Sequence, residues 1–131
     1  MADAVYPIGA TEILNATIDF NTDDFRVVLV DTGTYTYSAA HDFHDDITGI
    51  VATSANLSTP TITSGVFDAV DIVFSAVTGA TIEAYIVYKW SGASATSPLL
   101  FYVDSAAEFP ITPNGSDITI VWNAGGIYSA V

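Results

Sequence analysis

Ile82-Glu83-Ala84-Tyr85-Ile86-Val87-Tyr88-Lys89-Trp90 is the stretch whose reading decides the fold. Ile82, Ala84, Ile86, Tyr88 and Trp90 alternate with Glu83, Tyr85, Val87 and Lys89, the period of two that belongs to a strand. Both parities carry bulky apolar groups, so the segment reads as a central strand covered on each face. Ile118, Ile120 and Trp122 alternate with Thr119 and Val121 in the same way. Further strands are expected at residues 16–20, 25–30, 50–55, 59–63, 66–69, 71–77, 99–103 and 127–131. Asn21-Thr22-Asp23-Asp24, Ser64-Gly65, Thr78-Gly79, Pro113-Asn114-Gly115 and Asn123-Ala124-Gly125-Gly126 punctuate them as turns.

Such short spacing predicts an all-β fold, an antiparallel β-sandwich or jelly roll, because a parallel α/β sheet needs long amphipathic helices between strands. One short helix is expected near residues 38–47, where Ser38 can cap and Ala39, Ala40, Phe43 and Ile47 fall on one side. Residues 1–10 read as an N-terminal arm in which Pro7 opposes helix, with a disordered tail as the alternative. Residues 11–131 read as a single β-sandwich domain. Ser91 to Pro98 is small and polar and reads as a mobile surface loop.

Two basic residues, Arg26 and Lys89, stand against fifteen acidic ones, a formal net charge of −13 in a 131-residue chain that is 50% hydrophobic. This balance disfavours nucleic acid, whose phosphates call for Lys and Arg, and anionic membrane surfaces. The absence of cysteine removes thiolate catalysis, thiolate zinc sites and disulfides. The N-terminus has no basic and apolar signal pattern, and the apolar runs are far shorter than the roughly 20 residues a membrane span requires. The apolar surplus with so little charge points to a protein partner, with a well-filled core of small and β-branched residues as the alternative.

Three patterns bear on chemistry. His41, His44 and Asp45 could present three ligands to a divalent cation if the segment were helical, although the same residues fit the solvated side of a short helix and lack a fourth ligand. Asp19, Asn21 and Asp23 begin like a calcium loop, but Asp24 and Val30 stand where glycine and a bidentate glutamate belong. Asn15-Ala16-Thr17, Asn56-Leu57-Ser58 and Asn114-Gly115-Ser116 match a glycosylation sequon of a kind common by chance. No nucleophile elbow, phosphate loop or dinucleotide fingerprint is present, so no catalytic residue and no cofactor is assigned and the expectation is a protein that is not an enzyme. Tyr6, Tyr35, Tyr37, Tyr85, Trp90, Tyr102 and Tyr128 are candidate interface anchors, each equally suited to the core. Arg26 and Lys89 join them as potential partners of carboxylates at a joint between subunits.

Val27-Val28-Leu29-Val30-Asp31-Thr32, Tyr35-Thr36-Tyr37-Ser38-Ala39-Ala40-His41-Asp42-Phe43, Val66-Phe67-Asp68-Ala69, Phe74-Ser75-Ala76-Val77-Thr78-Gly79, Glu83-Ala84, Tyr88-Lys89 and Thr112-Pro113-Asn114-Gly115 span most of residues 25–120. In pattern they resemble the small β-rich virion structural proteins of tailed bacteriophages, the group of capsid decoration (cement) proteins and tail-associated proteins. The sparse Lys and Arg and the Gly-Gly-Ile-Tyr-Ser-Ala-Val ending depart from that pattern. The resemblance implies a subunit on the outer capsid surface of the virion, made in the host cytoplasm. It would form a homo-oligomer, a trimer, and bridge major capsid proteins. The alternative it implies is a tail or tail-fibre protein that binds host-surface carbohydrate, for which Trp90 or Trp122 would have to be exposed. A metal-dependent enzyme centred on His41 and His44 is the third hypothesis.

Overall fold

A computed structural model describes residues 3–131; Met1 and Ala2 of the expected arm lie outside the described residues. The fold is an all-β antiparallel sandwich built around five strands in the order β1-β8-β7-β2-β3. These are β1 (Ala4–Val5), β2 (Phe25–Val30), β3 (Ile50–Thr53), β7 (Ala84–Lys89) and β8 (Leu99–Val103). Two smaller sheets supply the rest. β4 (Thr61–Thr63), β5 (Val66–Asp68) and β10 (Tyr128–Ser129) form one in the order β10-β5-β4; β6 (Ile72–Phe74) and β9 (Ile118–Ile120) form a two-stranded ribbon.

β7 occupies the centre expected of the opening stretch, with Ala84 to Tyr88 all buried. Its two parities enter two separate apolar clusters. Tyr85 and Val87 join Val27, Leu29, Phe101 and Val103 against Phe67, Phe74 and Ile120 of the smaller sheets and Trp122 just beyond β9. Ala84, Ile86 and Tyr88 join Val28, Val30 and Tyr102 on the opposite side, beneath Tyr6, Tyr35 and Ile47. The central sheet is therefore covered by strands on one face and by irregular chain on the other.

Residues 3–15 depart from the expected arm. Ala4 and Val5 pair antiparallel with Tyr102 and Phe101 of β8, and α1 (Pro7–Leu14) follows at once. Pro7 starts the helix because it sits in the first turn, where its missing N–H has no acceptor to lose and its fixed φ is already helical. Gly9 lets the helix close on β8: a Cβ there would lie 2.5 Å from the Leu99 carbonyl oxygen and 2.8 Å from Leu100 Cα. Strand and helix together cover an edge of the sheet that would otherwise present unpaired amides.

Helix within residues 38–47 is limited to a single 3-10 turn at His44–Asp46. Tertiary bonds take the groups a longer helix would use. The Asp46 carboxylate accepts the Asp42 and Phe43 amides, the His44 amide donates to the Ser97 carbonyl, and the Asp42 carbonyl accepts from Leu99. The Ser91–Pro98 segment, expected to be mobile, is the other half of this contact. Ser97 is fully buried, and its hydroxyl accepts the Ser91 amide at 3.0 Å and donates to the Ala93 carbonyl at 2.7 Å. Residues 16–20, expected as a strand, lie in a turn held by Asp19 and Asp23 side chains accepting the Asn21 and Asp19 amides. Among the described residues no helix is long and apolar enough to cross a membrane.

Candidate functional site

The expected metal cluster is taken apart by the fold. His41 Nδ1 lies 2.9 Å from the Tyr35 hydroxyl, whereas His44 Nδ1 lies 2.8 Å from Ser94 Oγ on another loop. Without a helix through residues 41–45 the two rings share no face. Among the described residues no group of three His, Cys, Asp or Glu side chains is arranged to hold a metal ion. Burial holds His44 below the ordinary imidazole value, against an opposing pull from Asp45.

His41 instead ends a polar thread through the second cluster. Tyr6 and Tyr35 hydroxyls are 2.7 Å apart, and the Tyr6 ring is completely buried. Tyr6 has one hydroxyl partner and Tyr35 has two, so donation from Tyr6 to Tyr35 to His41 Nδ1 gives every proton an acceptor. Desolvation by burial, followed by the bond to Tyr35, pushes the Tyr6 hydroxyl far above the ordinary phenol range. Burial pushes Tyr35 up as well. Both remain protonated donors at any physiological pH, which suits a structural thread better than proton transfer.

Beside this thread a shallow groove of about 450 Å³ runs between Tyr37 and Tyr102, whose ring centroids are 5.3 Å apart, and the acids Asp3 and Asp104. Asp3 accepts the Asp104 amide at 2.7 Å, the Ser105 amide at 2.9 Å and the Ser105 hydroxyl at 2.6 Å. Burial alone would raise the Asp3 carboxyl, but these bonds outweigh it and hold it below the usual range. Asp104 is raised, first by desolvation and then by the neighbouring Asp3 carboxylate. The acids thus fasten the N-terminal segment to the end of β8.

Of the proposed anchors, Tyr6, Tyr35, Tyr85 and Tyr102 are buried in the chain's own clusters and are not free to meet a partner. Tyr37, Trp90 and Tyr128 are half-buried. Tyr128 stacks on Phe101 with centroids 4.7 Å apart, and Trp90 lies edge-on to Tyr88 under the Arg26 guanidinium. Trp122 is only 6% exposed, its ring against Tyr85 and its Nε1 donating to the Val70 carbonyl.

Arg26 and Lys89 sit on neighbouring strands at one corner, and both engage their own chain. Arg26 makes a two-pronged pair with Asp24, each N···O distance 3.0 Å. The Lys89 ammonium lies 3.0 Å from the Asp23 carboxylate and donates to the Thr17 carbonyl at 2.8 Å. The bonds to Asp24 raise the Arg26 guanidinium still further, so it stays charged.

What the sequence reading did not single out is the exposed aliphatic set Val70, Val73 and Val121, each more than half exposed on or beside the β6–β9 ribbon. The signal was present in parity: Ile72 and Phe74 point inward, so Val73 between them points out. The carboxylates of Asp71, Glu108 and Asp117 border this ribbon, accepting the Trp122, Val121 and Ala76 amides.

No protein-family profile matches the chain, and no curated protein matches it in sequence. The fold and surface define an antiparallel β-sandwich with an acidic exterior, two internally paired cations and an aliphatic ribbon face.

Proposed function

We propose that this chain is a virion structural subunit, a capsid decoration protein that sits on the outer shell of a tailed phage as a homotrimer and bridges major capsid proteins. The observation that carries the reading is the surface balance. Both cationic side chains are tied to Asp23 and Asp24 of the same chain, leaving an acidic exterior interrupted by the exposed valines of the β6–β9 ribbon. Such a surface repels packaged DNA and meets protein through apolar contact, each Å² buried contributing about 25 cal/mol before association costs. The placement of the tryptophans supports a protein-facing role over sugar stacking, since Trp122 is buried and Trp90 is flanked by Arg26 and Tyr88.

The test is to add purified protein to phage shells lacking it, then measure co-sedimentation and the temperature at which the shells lose DNA. Saturable binding to heads with a raised release temperature is the expected outcome. Binding to isolated tails, or to host-surface glycans with no effect on heads, would replace this reading with the tail-fibre one.

A further inference from the structure

The outer edge of β6 faces a groove of about 300 Å³ whose opposite wall is the Ala55–Ser58 segment. One wall is a strand edge, β6, and the other is irregular chain that continues from β3 along β2. β6 is in register with β9 at Ile72↔Ile120, Val73↔Thr119 and Phe74↔Ile118, and the Asp71 amide has no partner among the described residues. By alternation the Val73 amide and carbonyl point the same way as those of Asp71, away from β9 and into the groove. Across it, Ser54 and Leu57 donate to the Val27 and Phe25 carbonyls, while the Ala55 and Asn56 amides between them have no acceptor among the described residues. A Val70 amide bond to the Ser58 carbonyl at 3.0 Å closes one end of the slot, and the buried Leu57 side chain helps line it.

We propose that this slot receives an extended, basic segment of a partner protein, which adds as a strand to β6. Free backbone donors and acceptors on a strand edge call for polypeptide in extended form, because only that presents carbonyls and amides at matching spacing. β6 offers three residues, about 10 Å of strand at about 3.3 Å per residue. Charge selects the occupant further. Asp71 sits at the slot on a chain of net charge −13 whose two cations are already paired, so a second copy is repelled and a lysine- or arginine-bearing segment is attracted. Its apolar residues would cover Val70 and Val73, both 54% exposed. The inference goes beyond the virion reading and does not depend on it.

Amide NMR of the labelled protein, titrated with a short capped peptide alternating lysine and valine, tests this directly. Expected are shifts confined to residues 55–57 and 70–74, with hydrogen exchange at the Asp71 and Val73 amides slowed about tenfold. The same peptide with glutamate for lysine, or with alternate backbone nitrogens methylated, should not bind. Asp71→Asn should weaken binding about threefold. Val73→Pro should abolish it without unfolding the ribbon, since that amide makes no bond to β9; if the variant fails to fold, the methylated peptide still decides. Absent shifts, shifts centred on Tyr37 and Tyr102, or equal binding of the methylated peptide would each overturn the proposal, the last by showing charge attraction without strand addition.

Discussion

The two faces of the central sheet are both buried but are built from different chemistry. Toward the smaller sheets lie Val27, Leu29, Val87 and Phe101, met by Phe67, Phe74 and Ile120 and free of polar tips over most of their area. On the other face, Tyr6, Tyr35, Tyr88 and Tyr102 lie among loops and the β1–α1 segment, and the Tyr6 and Tyr35 hydroxyls and the His41 imidazole bond in series. A strand can cover a sheet with aliphatic groups because its own backbone bonds go to neighbouring strands. Irregular chain brings unpaired polar groups with it, and tyrosine serves there because one side chain supplies both apolar area and a hydrogen bond.

The contrast can be broken most forcefully on the aliphatic face. Phe101→Ala should lower unfolding free energy by about 3–5 kcal/mol in a denaturant melt, since the site is sealed and cannot collapse fully. On the tyrosine face the effect should depend on which hydroxyl is removed. Tyr35→Phe strands the buried Tyr6 hydroxyl and should cost about 1–3 kcal/mol. Adding Tyr6→Phe should recover part of that loss, because no buried donor is then left unpaired; a strictly additive double variant would show that the thread is unimportant.

Acid should separate the faces without mutation. His44 titrates below its ordinary value when folded, so the unfolded chain takes up the proton first as pH falls. Its stabilising share is complete above about pH 6.5 and is lost as pH drops toward the folded value. Melts at neutral pH and near about pH 5 should therefore show a smaller acid loss in His44→Gln than in the natural sequence. The smallest effect is expected at the exposed corner, where Arg26→Met should cost about 0.2–1 kcal/mol, shrinking as salt is added.

The same contrast governs what was legible in the sequence. The β7 segment announced itself as central because apolar residues on both parities leave a strand no position but the middle, and Leu99–Val103 was legible as a strand. α1 was hidden, since Pro7 reads as a breaker unless it is known to occupy the first turn, and its Gly9 has a purpose only against Leu99 and Leu100, some ninety residues away. Helical spacing at Ala39, Ala40, Phe43 and Ile47 was genuine but was overridden by bonds from Ser97 and Leu99. Anchors and core tyrosines look alike in sequence; the distinction rests on partners such as Tyr6 and Tyr35, which the fold alone brings together. The β6 slot had only its outward Val73 as a signal, because unpaired amides leave no trace in composition.

The pairing of the N-terminal segment with β8 also sets an order of events during synthesis. Ala4 and Val5 emerge well ahead of Leu99 to Val103 and have no strand to join until those follow, nearly a hundred residues later. Until then β8's apolar Leu-Leu-Phe-Tyr-Val edge and the N-terminal residues both await a partner, and crowded neighbouring chains compete to be that partner. Deleting Ala4 and Val5 should therefore lower the yield of folded protein through aggregation, read as loss to the pellet after centrifugation.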